Sequence, residues 1–182
     1  MSETLSPLSY VILVLVGPGG AGAHDLVRMV RQGRVYQSGA ESQYYAETKR
    51  LARLGYLDAH KGPGRTRERT HYTLTEKACD ALREWSRQPV RFPRFETHAI
   101  VRLLAADLVG EAPVRDSLQT MRHDIADLAA RLDVAEAMAE TLPHRKKYLL
   151  LNHRLARRLL QAHLDWLNEI ERELRPRRRR RR

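Results

Sequence analysis

Within the stretch Ser38–Leu57, SGAESQYYAETKRLARLGYL, several side chains carry the chemistry of recognition rather than of catalysis. Gln43 offers an amide that can bracket adenine, and Arg50 a guanidinium fork that can bracket guanine, each on a major-groove base edge. A phosphate contact is the competing role for Arg50. Ser42 and Tyr45 offer hydroxyls that can donate to phosphate oxygens, a contact that positions a protein on a duplex without reading its sequence. Lys49 adds a cation beside them. Glu47 is awkward near phosphates: it can accept from a cytosine amine, or pair with Arg50 or Lys49. Elsewhere the chain pairs no nucleophile with a base. Its eight histidines show no tight ligand spacing and Cys79 is its one cysteine, so neither a metal, a cofactor nor an intrachain disulfide is expected.

These residues need a helix to hold them. Ser38 and Glu41 have the S-x-x-E spacing of a capping box. Tyr44, Thr48, Leu51 and Leu54 recur at helical spacing and predict a buried face. Gly55 predicts the stop, because it tolerates positive φ. Two short runs, Gly55–Lys61 and Arg69–Leu74, flank a Gly/Pro turn and predict a β-hairpin. Lys61, Arg65, Arg67 and Arg69 crowd its tip with one acid, Glu68. Thr75 predicts the cap of a helix over Glu76–Ser86, with Ala78, Leu82 and Trp85 inward. Upstream lie the apolar run Leu8–Val16 and an amphipathic helix carrying Leu26, Val27, Met29 and Val30. Helix, helix, helix, basic hairpin, helix is the order of a winged helix-turn-helix, whose third helix enters the major groove while the hairpin clamps backbone phosphates. On that order Leu8–Val16 is a buried helix, although its composition alone does not separate helix from strand.

Gly17, Gly19 and Gly22 fit G-x-G-x-x-G after an apolar run and before a helix, the form of a dinucleotide-binding fingerprint. The rest of the chain does not supply the further strand–helix units of a doubly wound fold. The alternative is a turn between two packed helices.

From Phe95 onward the pattern is helical throughout. Phe95, Ala99, Leu103 and Leu108 line a helix over 94–108. Pro113 suits a helix N1 position. From Val114 through Leu118, Met121, Ile125, Leu128, Leu132, Ala135 and Ala139 to Leu142, apolar residues alternate at steps of four and three, the signature of a coiled coil. After Pro143 a last helix is predicted over 145–174, with a stripe of Tyr148, Leu151, Leu155, Leu159, Ala162, Trp166, Ile170 and Leu174. The apolar surface exceeds what two helices of one chain can bury on each other, which predicts a homodimer presenting two recognition helices to the half-sites of a palindromic operator.

The net charge of +11 divides unevenly: +4 over residues 1–89, zero over 90–174 and +7 over 175–182. A basic N-terminal segment points to a polyanionic partner. Three segments follow: a DNA-binding domain over 1–89, a helical dimerisation domain over 90–174, and a poly-Arg tail over 175–182 that cannot fold alone. The fold class is mainly α with a small β-hairpin wing. Leu8–Val16 is too short to span a bilayer, and a cytoplasmic protein with no membrane partner is expected.

Taken together, these residues resemble the PadR family of bacterial transcriptional regulators over nearly the whole chain. Ser42-Gln43-Tyr44-Tyr45-Ala46-Glu47, Arg50-Leu51-Ala52 and Leu54-Gly55-Tyr56-Leu57 resemble the recognition-helix signature. Gly64-Arg65 and Tyr72-Thr73-Leu74-Thr75-Glu76 resemble the wing and the helix after it. Asp25-Leu26 matches the acidic-Leu pair of the second helix, although His24 stands where an aromatic residue is common and Ala78 where Gly is usual. Residues 94–174 look like the helical domain of the longer subgroup related to virulence-gene activators. The resemblance implies a winged-helix dimer that represses its genes and releases DNA when a small aromatic or hydrophobic effector binds. Trp85 and Trp166 are the candidate effector-lining residues, against plain core. Two other functions compete: a non-specific or architectural nucleic-acid-binding protein relying on the wing and tail, and, more remotely, a dinucleotide-binding enzyme built on Gly17–Gly22.

Overall fold

The computed structural model describes residues 4–32, 40–62, 69–93 and 97–174. The chain divides into two compact units, Met1–Arg91 and Phe92–Arg182.

In the first unit the apolar run is helix α1 (Pro7–Val16). Its start decides the matter that composition left open. Ser6 is the N-cap, Pro7 occupies the first turn, and Ser6 and Ser9 exchange hydrogen bonds as a capping box. Ile12, Leu13 and Val16 are buried, and Gly17, at φ 58°, ends the helix. A two-residue strand β1 (Ala21–Gly22) precedes α2 (Ala23–Gln32). Helix α3 (Glu41–Arg53), strands β2 (Leu57–Gly62) and β3 (Arg69–Leu74), and helix α4 (Glu76–Ser86) follow. The sheet is antiparallel with order β1-β3-β2; Leu57 pairs with Leu74 at one end of the hairpin and Gly62 with Arg69 at the other.

Strand β1 is an element the pattern did not predict. Two residues are too few for any alternation to register. Ala21 pairs with Tyr72 and Gly22 with His71, so the glycine-rich stretch serves as the third strand of the wing. This corrects the dinucleotide expectation. The glycines follow a helix rather than a strand, and the described sheet contains no parallel pair.

One core holds the unit together. Leu13 of α1, Leu26 of α2, Leu51 of α3 and Leu57 of β2 are fully or almost fully buried, with Tyr44, Tyr72 and Ala78 beside them. Thr75 caps α4 as its spacing predicts, accepting from the Ala78 N–H. The inward stripe of α4 is shorter than expected. Ala78 is buried and Leu82 half-buried, but Trp85 is exposed and stacks on Tyr10 of α1, with centroids 4.7 Å apart and planes 11° apart.

In the second unit, α5 (His98–Leu104) and α6 (Ala106–Val109) stand where one helix was expected; its first residues, 94–96, lie outside the described residues. Helices α7 (Glu111–Glu140) and α8 (Pro143–Glu173) then form an antiparallel hairpin. Arg115 near the start of α7 donates to the Leu174 carbonyl after the end of α8, while Arg157 of α8 holds Asp133 and Glu136 of α7. The α7 seam faces α8: Val114, Leu118, Ile125, Leu132 and Ala139 are buried. No helix among the described residues is long and apolar enough to cross a membrane.

The packed face of α8 differs from the predicted stripe. His153, Ala156, Leu160, Leu167 and Ile170 are buried, while Tyr148, Leu151 and Leu155 are exposed. The helix carries leucines on more than one face, so periodicity alone does not select between them. The α7 seam does, and it leaves the Tyr148–Leu151–Leu155 face open.

Candidate nucleic-acid interface

Helix α3 begins two residues later than its capping box predicts. Ala40 is the N-cap and makes no side-chain cap hydrogen bond, and Glu41 is the first helical residue rather than the third. Ser38 lies outside the described residues. Glu41 accepts from Arg31 of α2 at 2.5 Å, which ties the end of one helix to the start of the next.

The other end of α3 follows the sequence closely. Gly55 takes φ 76°, its N–H donates to the Ala52 carbonyl, and the Tyr56 N–H donates to Leu51. This pair of bonds is a Schellman stop, and it turns the chain directly into β2. Lys77 of α4 donates to the Leu54 carbonyl at 2.7 Å and lies over the Tyr56 ring, 4.4 Å from its centroid. Thr75 Oγ1 donates to the Gly55 carbonyl at 2.8 Å. The start of α4 therefore holds the junction between α3 and the wing.

Burial divides α3 cleanly. Tyr44, Thr48 and Leu51 are buried, as predicted, and Thr48 donates back to the Tyr44 carbonyl. Desolvation in the core raises the Tyr44 phenol above its ordinary value. Ser42, Ala46, Lys49 and Arg53 form an exposed stripe at steps of four and three. Gln43 is exposed on one shoulder and Tyr45 half-buried on the other. Ala46 sits mid-stripe, where a small side chain lets a surface approach the helix axis. Arg53 belongs to this stripe and was not among the predicted contacts. Its spacing of four from Lys49 was the available signal.

Arg50 is paired within the fold. It does not stand clear of the helix as a base-reading fork. Its Nε donates to Glu47 Oε2 at 2.8 Å and its Nη2 to Glu47 Oε1 at 2.9 Å. Ser9 of α1 donates to the same carboxylate at 2.5 Å. Glu47 makes the pairing with Arg50 that was one of its expected roles, and is the centre of a network between α3 and α1. The Arg50 hydrogen bonds are the largest cause holding its carboxyl below the usual carboxylate range; desolvation opposes them and Ser9 adds to them.

Of the predicted wing contacts, Lys61 is exposed on β2, while Arg65 and Arg67 lie outside the described residues. Trp85 and Trp166, paired in expectation as effector-lining residues, fall in different units. Trp166 is half-buried on α8. The poly-Arg tail lies outside the described residues.

The first unit is thus a winged helix-turn-helix with a three-stranded wing, and the second contains a long antiparallel helical hairpin. This is the fold of PadR-type regulators. Bacillus subtilis PadR in complex with operator DNA matches with a TM-score of 0.76 at 18% identity, over 95% of this chain and 100% of that one. The Vibrio cholerae virulence activator AphA matches with a TM-score of 0.70 at 22% identity, over 92% and 97%. A PadR-like transcriptional regulator from Bacillus cereus matches with a TM-score of 0.68 at 13% identity, over 94% and 99%. Bacillus subtilis PadR in complex with p-coumaric acid matches with a TM-score of 0.58. At these identities the likeness is one of fold. No family model and no curated protein matches the sequence.

Proposed function

We propose that this chain is a PadR-family transcription regulator without catalytic activity that binds double-stranded DNA through α3 and the wing. The observation that carries the proposal is the exposed Ser42–Ala46–Lys49–Arg53 stripe, presented by a helix whose other face is buried, beside a basic hairpin in a fold shared with an operator-bound protein. Gln43 is the base-edge contact. Ser42, Tyr45, Lys49, Lys61, Arg65 and Arg67 position the protein on phosphates, joined by Arg53.

The regulator acts as a homodimer on a palindromic operator, with residues 1–89 as the DNA-binding domain and 90–174 as the dimerisation domain. The outward face of α8, with Tyr148, Leu151 and Leu155, supports this, as do Val134 and Met138 on α7, because large exposed apolar side chains on one arm favour a partner. Repression released by a small aromatic effector is the simplest mode. The fold neighbour solved with p-coumaric acid supports it, and so does the exposed Trp85 ring stacked on half-buried Tyr10.

Footprinting on the DNA upstream of the gene tests the proposal. A protected palindrome is expected. Binding without sequence preference, abolished by deleting 175–182, would replace it with a non-specific nucleic-acid-binding role.

A further inference from the structure

The Glu47 network has a consequence for recognition that the exposed stripe does not contain. Ser9 is completely buried in the first turn of α1, and its hydroxyl joins three residues: it donates to Glu47 Oε1 at 2.5 Å, meets Ser6 Oγ and accepts from the Ser6 N–H, each at 2.9 Å, and accepts from Arg50 at 3.4 Å. The Glu47 side chain is only 13% exposed and that of Arg50 29%. Both Glu47 oxygens are engaged by the guanidinium, the bidentate geometry that makes Arg–carboxylate pairs strong. The carboxylate also sits at the N-terminal turn of α1, where the helix dipole favours negative charge.

We propose that Glu47 is a positioning residue that latches Arg50 onto α1 and so withdraws it from the DNA-facing set of α3, leaving Gln43 as the reader on that shoulder. This rests on the DNA-binding function proposed above. The physical reason is competition. A guanidinium held by two carboxylate contacts and a buried hydroxyl must break all three to reach a phosphate or a base.

The test uses the full chain and a random-sequence duplex. In Glu47→Gln the carboxylate charge is gone and the amide N–H₂ opposes the guanidinium, so Arg50 is released. Affinity for the duplex should rise by about threefold, and the slope of log affinity against log salt should steepen by about 0.9, one added phosphate contact. Removing an acid near DNA could produce a gain by itself, so the same change is repeated in an Arg50→Ala background. The latch requires that the gain vanish there; an equal gain overturns it. Arg50→Ala alone should leave DNA affinity within about twofold of the parent, and a large loss overturns the proposal too.

A second readout is independent of DNA. The Arg50 Nε–H, assigned by through-bond correlation to its own backbone amide in the unaltered chain, should exchange with water far more slowly than that of exposed Arg53. Equal exchange in the unaltered chain overturns the latch even if no variant folds. If the unaltered chain binds no DNA at low salt, the proposed function fails, while slow exchange still upholds the contact that latches Arg50.

Discussion

Gly20 offers a sharp test of how the wing is built. It lies at φ +71°, and a Cβ added there would meet the His71 imidazole, the Tyr72 carbonyl oxygen at 2.7 Å and Thr73 Cγ2 at 3.0 Å. Consider Gly20→Ala. An L-residue in the left-handed region costs about 1–2 kcal/mol. The His71 ring is exposed and can swing aside, but the Tyr72 carbonyl is backbone in the central strand. Strand β1 must therefore move off β3 and weaken the Ala21–Tyr72 pairing, at about 0.5–1.5 kcal/mol for a hydrogen bond. The expected loss is about 2–3 kcal/mol, which for a domain of this size lowers Tm by on the order of 10 °C. Gly19→Ala is the matched control. Nothing lies within 4 Å of its added Cβ, so it should be neutral or stabilise by about 0.4–1 kcal/mol through the unfolded chain. Each unit contains one tryptophan, so urea unfolding followed by Trp85 fluorescence in a Trp166→Phe background reports on the first unit alone. Equal loss in the two alanine variants would refute the reasoning. So would full rescue of Gly20→Ala by His71→Ala, since the obstacle would then be the imidazole and not the strand.

Three further outcomes follow from the same structure. His153 is buried on the α7-facing side of α8, and desolvation lowers its pKa from the ordinary 6.5, with Glu136 opposing and Arg157 assisting. The folded state thus prefers neutral imidazole, so stability is full above the ordinary value and falls as pH drops from there through the lowered one; thermal unfolding across that window should show the fall, and His153→Leu should remove it. Lys49→Ala and Arg53→Ala should each flatten the salt slope of DNA binding by about 0.9 and weaken operator and random duplex alike, as read by fluorescence anisotropy; a loss confined to the operator would make either one a base contact. Leu151→Glu lies on the open face of α8, so light scattering should show a weakened dimer while circular dichroism shows an intact hairpin; an unchanged dimer would move the interface elsewhere.

Much of the frame of α3 was legible in the sequence because it depends on local rules. The buried face Tyr44–Thr48–Leu51 follows from the period of a helix, the stop at Gly55 from glycine's access to positive φ, and the start of α4 from the Thr75 cap. Each involves residues within a few positions of one another, so no knowledge of the fold is needed. The α7 seam is legible for the same reason: one heptad pattern on one helix leaves little choice of face.

Tertiary structure decided what depends on partners remote in sequence. Strand β1 exists only because β3, fifty residues on, offers an open edge. The packed face of α8 was selected by α7 from several apolar faces. Trp85 has the spacing of a core residue, yet it finds Tyr10 instead and stays at the surface. The anchoring of the Glu47–Arg50 pair to α1 turned on Ser9, thirty-eight residues upstream of Glu47. Residue type made Arg50 a capable reader of guanine, because a guanidinium fork suits that edge. Whether the fork is available depends on what lies within hydrogen-bonding reach: the spacing of three made the Glu47 pair legible, whereas the Ser9 hydroxyl that anchors it to α1 was not.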